Sequence, residues 1–170
     1  MSKVEGIIFD LDGTLWSTIE SGVKVLAEVK SRHPEVTKDI SKEEVENSMG
    51  KPFDEIVEAY YGYIEKEKAI EIAKEAFEGN VKNLMQNGGE PYPHLEETLE
   101  KLAKKYKLFI VSNCIDGYIE SFLVSSNTAK YFQDHECIGR TNLSKGENIK
   151  LIMERNCIES AVYVGDTRWR

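Results

Sequence analysis

Val4-Glu5-Gly6-Ile7-Ile8-Phe9-Asp10-Leu11-Asp12-Gly13-Thr14 stands near the start of the chain. Its first part, VEGIIF, is a short β-branched apolar run that stops abruptly on acids and a glycine. A buried strand entering a loop has this pattern. Two later runs repeat it: Leu108-Phe109-Ile110-Val111 stops at Ser112-Asn113, and Ala161-Val162-Tyr163-Val164 stops at Gly165-Asp166-Thr167. Glu136-Cys137-Ile138, followed by Gly139, reads as a weaker strand. In an open parallel α/β sheet ligands bind at the carboxyl ends of the strands. Three strands that each end in polar residues therefore point to one shared site.

Between the first two of these strands the texture is helical only. Ile19, Val23 and Leu26 recur at helical spacing, and Ser41-Lys42-Glu43-Glu44 has the form of a capping box. Pro52 can open a helix running through Phe53, Ile56, Val57 and Tyr60. A longer stripe uses Ala69, Ile72, Ala73, Ala76, Phe77, Val81 and Leu84. Asn87-Gly88-Gly89-Glu90-Pro91-Tyr92-Pro93 is expected to break regular structure as a linker. Residues 16–87 thus read as a helical insertion, a cap, in an α/β core formed by residues 1–15 and 88–170. Beyond the insertion, helical patterns over Leu95, Leu99 and Leu102, over residues 115–124 and over residues 146–155 alternate with the strands. The order predicts a doubly wound parallel sheet with right-handed crossovers.

Composition narrows the function classes. The 170 residues carry 22 Lys+Arg against 30 Asp+Glu, a formal net charge of −8, which gives no electrostatic reason to bind nucleic acid. Hydrophobic residues make up 41% of the chain, enough for a core. No apolar run approaches the roughly 18 residues of a membrane span, and the N-terminal apolar stretch is too short for a signal peptide. Cys114, Cys137 and Cys157 are far apart and form neither a zinc pattern nor a disulfide framework, so a reducing, cytoplasmic setting is expected. A monomer or a homodimer fits equally well.

The strand ends carry the chemistry. Asp10 and Asp12 would repel one another unless a cation compensates. A metal could bind Asp10 and a nearby backbone carbonyl while the Asp12 side chain stays free for proton transfer. Gly13 allows the sharp turn this needs. Ser112 and Asn113 offer hydroxyl and amide donors suited to phosphoryl oxygens, Lys145 supplies a cation ahead of a helix, and Asp166 supplies a further oxygen ligand. Hard oxygen donors of this kind suit Mg²⁺ rather than zinc. The close carboxylates also predict that Asp12 holds its proton more tightly than a free aspartate.

These four elements in this order, Asp10-x-Asp12-Gly13-Thr14, Ser112, Lys145 and Gly165-Asp166-Thr167, resemble the haloacid dehalogenase superfamily, in particular its phosphoglycolate phosphatase-like branch with a helical cap. The resemblance implies a Rossmann-like core and Mg²⁺-dependent hydrolysis of a small phosphomonoester, of the phosphoglycolate or sugar phosphate type, through an aspartyl-phosphate. It implies Asp10 as nucleophile and Asp12 as general acid and base. Ser112 and Lys145 would stabilise the transferring group, with Thr14 and Asn113 supporting the substrate-binding loops. The metal would lie on the Asp10 side chain, the Asp12 carbonyl and Asp166. A dehalogenase of this fold lacks the second Asp, and a P-type ATPase has Lys where Leu11 stands, whereas a phosphomutase keeps the acid and remains an alternative.

The pattern departs from the family at its end. A second acid is expected about four residues after Asp166, where Arg168-Trp169-Arg170 stands instead. The expectation is that the C-terminal part of the core is missing, through truncation or frameshift, leaving the last strand with an uncovered edge and face. A catalytically impaired phosphate-binding protein is therefore a further alternative. Other residues read as structural: His33 as a helix cap, His135 as a loop residue, and Tyr60, Tyr61 and Tyr63 as helix packing. His94 is assigned no chemistry, and Cys114 is read as a small buried hydrophobe.

Overall fold

The runs IIF and LFIV have no polar alternation because the strands that contain them are covered on both faces. In the structure, a computed structural model that describes residues 4–166, they become β1 (Gly6–Phe9) and β4 (Lys107–Ser112). With β5 (Phe132–Cys137) and β6 (Ala161–Val164) they form a four-stranded parallel sheet in the order β5-β4-β1-β6. The register pairs Gly6 with both Lys107 and Ala161, and Phe9 with both Ile110 and Val164. The carboxyl ends of β1 and β6 are therefore level, and β4 runs two residues further, to Ser112.

Helices cover both faces, so the fold is doubly wound. On one face Ile7, Phe9, Leu108 and Ile110 meet Leu99 of α5 (Leu95–Ala103) and Ile119, Phe122 and Leu123 of α6 (Tyr118–Ser125). On the other, Ile8, Phe109 and Val111 meet Ile152 of α8 (Lys145–Arg155) and Ile158. Each such buried aliphatic or aromatic side chain contributes on the order of 1.5–3 kcal/mol. Among the described residues β6 is an edge strand, with Val162 and Val164 exposed at 45% and 39%. The expectation about Arg168, Trp169 and Arg170 lies outside the described residues.

Residues 19–87 carry four helices: α1 (Ile19–Arg32), α2 (Lys42–Ser48), α3 (Phe53–Tyr61) and α4 (Lys66–Asn87). Ser41 accepts from the Glu44 amide, the expected capping box. Val25, Val29, Ile56, Val57, Ile72 and Ala73 form a hydrophobic cluster separate from those on the sheet. Leu84, near the end of α4, belongs instead to the cluster on the sheet.

Three local expectations are corrected. The segment read as a linker contains β3 (Glu90–Pro91), which pairs antiparallel with β2 (Trp16–Ser17), so the chain enters and leaves the helical segment side by side. Gly89 permits this, because a Cβ there would lie 2.6 Å from the Trp16 ring. The weak strand at 136–138 is longer and earlier. Its edge position lets β5 carry polar residues whose partners lie outside it: Asp134 takes Arg155 at 2.5 and 2.7 Å and Asn156 at 2.6 Å, and His135 lies 3.0 Å from Glu120. His135 is thus a strand residue. The helix over 115–124 starts only at Tyr118, after Gly117 in the left-handed region at φ 85°.

Phe122 is fully buried, with ring centroids 5.1 Å from Trp16 and 6.4 Å from Phe132, where it ties the ribbon to the sheet. Phe122→Ala is expected to lower unfolding free energy by about 3–5 kcal/mol, read as an earlier urea midpoint.

Candidate active site

Asp10 follows the last residue of β1, and its amide donates to the Val164 carbonyl at 2.8 Å, which carries the β1–β6 pairing one step into the loop. One carboxylate oxygen accepts from the Leu11 amide at 2.9 Å. The other takes the Lys145 ammonium at 2.7 Å, although the two residues are 135 positions apart. Both side chains are about nine-tenths buried. Lys145 is the first residue of α8, directly after Ser144, whose hydroxyl accepts from the Glu147 amide in a second capping box. The fully buried Asn148 fixes the approach to this helix: it accepts from the Thr141 hydroxyl at 2.8 Å and donates to the Leu143 carbonyl at 3.1 Å.

Tyr163, on β6, accepts from Lys145 at 3.1 Å. Burial, the negative charge of Asp10 and, more weakly, that of Asp166 push its phenol up. Asp166 lies against the acidic loop. Gly13 has φ +73°, and a Cβ there would run into the Asp166 carboxylate. The structure thus brings Asp10, Lys145 and Asp166 to one place around the end of β1. Ser112 ends the neighbouring strand β4 and is buried. The exposed Asn113 donates to the Gly50 carbonyl of the helical segment at 3.5 Å. The Thr14 hydroxyl is buried without a hydrogen-bond partner among the described residues.

Asp12 has a different environment. It accepts from Tyr118 at 2.9 Å and from Thr18 at 3.2 Å, and those two hydroxyls lie 2.8 Å apart. Its carboxyl is pushed up to about 6, first by burial and to a smaller degree by the charge of Asp10, while the Tyr118 and Thr18 hydrogen bonds pull it down. The expected tighter proton therefore arises mainly from desolvation rather than from the neighbouring acid. Tyr118, itself buried and beside Asp12, has its phenol raised well above the usual range and stays a donor at neutral pH.

Thr18, Tyr118 and Tyr163 escaped the sequence reading. Tyr163 alone gave a signal: a tyrosine in an apolar strand needs a partner for its hydroxyl. Cys114 and Cys137, 23 positions apart in the sequence, meet near the ends of adjacent strands as free thiols. The Cys114 thiol is pushed well above its usual range, first by its hydrogen bond with Cys137 and then by burial. His33 closes α1 as expected and also reaches Glu75 at 2.7 Å.

Between the helical segment and the strand ends lies a cavity of about 500 Å³. Asp12, Asn113 and Cys114 line its floor, and Val25, Phe53 and Phe77 stand among its walls.

The family model for haloacid dehalogenase-like hydrolases matches residues 7–169. The chain belongs to this family. A predicted phosphoglycolate phosphatase from Haemophilus somnus shares its fold with a TM-score of 0.82 at 20% identity, over 98% of this chain and 78% of that one. A haloacid dehalogenase-like family hydrolase from Streptococcus pneumoniae gives 0.82 at 18%, over 99% and 78%. A haloacid dehalogenase-like hydrolase from Bacteroides fragilis gives 0.79 at 22%, over 97% and 80%. No curated protein sequence matches the chain. At these identities the likeness to the three structures is one of fold, and the strand-end residues of this hydrolase must speak for its chemistry.

Two outcomes test the geometry. In the metal-free protein Asp12 binds its proton more tightly folded (about 6) than unfolded (3.8). Its contribution to stability is therefore complete below pH about 4 and fades as pH rises through 6. Tyr118→Phe removes a hydrogen bond that favours the carboxylate, so the Asp12 midpoint should move upward in a carboxyl-carbon NMR titration. Gly13→Ala, strained at positive φ and blocked by Asp166, should lower stability by about 1 kcal/mol or more in urea denaturation.

Proposed function

We propose that this hydrolase is a Mg²⁺-dependent phosphatase of small phosphomonoesters, working through an aspartyl-phosphate on Asp10. The observation that carries the reading is the buried contact of Lys145 with Asp10 at 2.7 Å, at the end of a central strand and with Asp166 beside it. Burying an ion pair is a poor way to gain stability, whereas a carboxylate and an ammonium held at one point can attack phosphorus and accept its negative oxygens.

The donors fit magnesium. Among the described residues no three carboxylate, imidazole or thiol side chains gather into a metal cage. Mg²⁺ does not need one, since it is commonly held by one or two carboxylates with water and phosphate oxygens completing the shell. Asp10, Asp166 and the Asp12 main-chain carbonyl would hold it, and its charge would offset that of the phosphoryl group.

In this reading an Asp10 oxygen attacks phosphorus, the P–O bond to the leaving group breaks, and Asp12 gives its proton to the departing oxygen. Asp12 then takes a proton from water as that water attacks the aspartyl-phosphate, which releases phosphate and restores both carboxyl groups. The raised Asp12 carboxyl suits this double duty, because a group near 6 exchanges protons readily at neutral pH. Lys145 and Ser112 steady the phosphoryl oxygens, and Thr14 and Asn113 support the loops that receive the substrate. Residues 16–87 act as a cap that shields the covalent intermediate from water, over a core of residues 1–15 and 88–170. Three free cysteines support a cytoplasmic setting. Among the described residues no helix is long and apolar enough to cross a membrane.

With p-nitrophenyl phosphate, phosphate release should require Mg²⁺ and fall at least a thousandfold in Asp10→Asn. Asp12→Asn should lose less with this good leaving group than with an alkyl phosphate. Turnover unaffected by chelator or by Asp10→Asn would overturn the proposal, and phosphoryl transfer to an added alcohol or sugar without phosphate release would point to a mutase.

A further inference from the structure

The cavity above Asp12 identifies the kind of alcohol this site releases. In the proposed mechanism, on which this inference rests, Asp12 protonates the leaving oxygen, so the leaving group must lie on the Asp12 side of the phosphorus. Asp12 lines the cavity, whereas Asp10, Ser112, Lys145 and Asp166 do not. The phosphoryl centre and the leaving-group space are thus separate, with Asp12 at the boundary.

That space suits neither a carboxylate nor a sugar. Among the described residues Lys51 is the only Lys, Arg or His along its lining, and Asp54 stands with Asp12 against it. A glycolate carboxylate would face two acids and one exposed lysine, and its few heavy atoms would leave most of about 500 Å³ unfilled. Several of the polar atoms higher in the cavity are already committed. Ser48 and Tyr60 hydrogen-bond each other at 2.6 Å, and Asn80 accepts from Ser21 at 2.6 Å. Sugar hydroxyls entering there would lose water and meet fewer partners than the water they leave. The amides of Asn113 and Asn142 also line the cavity, and most of the remaining wall is hydrocarbon, supplied by α1 (Val25, Leu26), α3 (Phe53, Ile56) and α4 (Phe77), with Met49 between α2 and α3.

We infer that the leaving group is apolar: the substrate class is the phosphate monoester of an aromatic or branched aliphatic alcohol, whose hydrocarbon lies among α1, α3 and α4 while its ester oxygen faces Asp12.

Two non-hydrolysable probes, naphthylmethylphosphonate and phosphonoacetate, test this by titration calorimetry on the full chain in magnesium buffer. The apolar phosphonate should bind at least tenfold more tightly, and Ala76→Phe, which intrudes on the lining, should remove at least tenfold of that preference. Should Ala76→Phe fail to fold, Met49→Glu, which sets a charge on the wall at a half-buried position, should do the same. Equal affinities, the reverse order, or a preference that survives Met49→Glu would overturn the inference. Turnover of naphthyl phosphate and phosphoglycolate, with Asp10→Asn as control, separates the two levels. No turnover with the binding preference intact defeats the phosphatase reading and leaves the apolar pocket standing. Asp10-dependent turnover without preference defeats only the apolar leaving group.

Discussion

A strand buried on both faces can hold no polar side chain along its length, because every such group would have to leave water without a partner. β1 and β4 obey this constraint, and the polar groups of this hydrolase gather where the constraint ends. Parallel pairing brings the ends of the two strands to the same edge of the sheet, within two residues of each other and beside β6. Asp10, Ser112 and Asp166 therefore become neighbours without any local sequence signal that links them. Lys145 joins them from the opposite direction, as the first residue of a helix whose capping box and buried Asn148 leave little freedom in its approach. The Asp10–Lys145 contact is the consequence of this geometry and stabilises little by itself, since its desolvation offsets much of its attraction.

The same constraint explains why the helical segment can be inserted where it is. The loop after β1 is already outside the sheet, so the chain can depart there without breaking a strand. The β2–β3 ribbon returns it to the neighbouring position through main-chain hydrogen bonds and the close approach of Gly89 to Trp16. Trp16 is fully buried between Tyr118 and Phe122, so the ribbon is anchored on α6. The packing of Leu84 of α4 into the cluster on the sheet and the 3.5 Å contact of Asn113 with Gly50 also connect the segment to the core.

How much of this was legible depended on whether a signal was local. The central strands were, since a continuous apolar run closed by acids has few other readings. β5 was obscured because its partners are an arginine and an asparagine some 20 residues downstream, so polar residues in the strand look like loop. Residues 90–91 were obscured because a two-residue pairing imposes no periodicity. Of the site, Asp10, Asp12, Ser112, Lys145 and Asp166 could be listed from their positions after strands and before a helix. Tyr118 and Thr18 could not, since a hydroxyl declares its role only through the atom it faces. The cavity was equally hidden: helical stripes show which faces turn inward, not where those faces leave a gap.

The two carboxylates illustrate what that hidden shell does. Asp10 and Asp12 are identical side chains two residues apart. The fold separates them by the charge of their partners. Asp10 faces an ammonium, whereas Asp12 faces two neutral hydroxyls in a site dry enough to move its carboxyl to about 6. Burial around Asp12 is what lets that carboxyl hold its proton, while Asp10 meets a cation instead. The hydrocarbon walls above Asp12 contribute to the same end, since the surface that would receive an apolar leaving group also excludes the water that would otherwise hold Asp12 ionised. Substrate preference and acid strength would then share one physical cause, so a polar substitution on those walls should disturb both together.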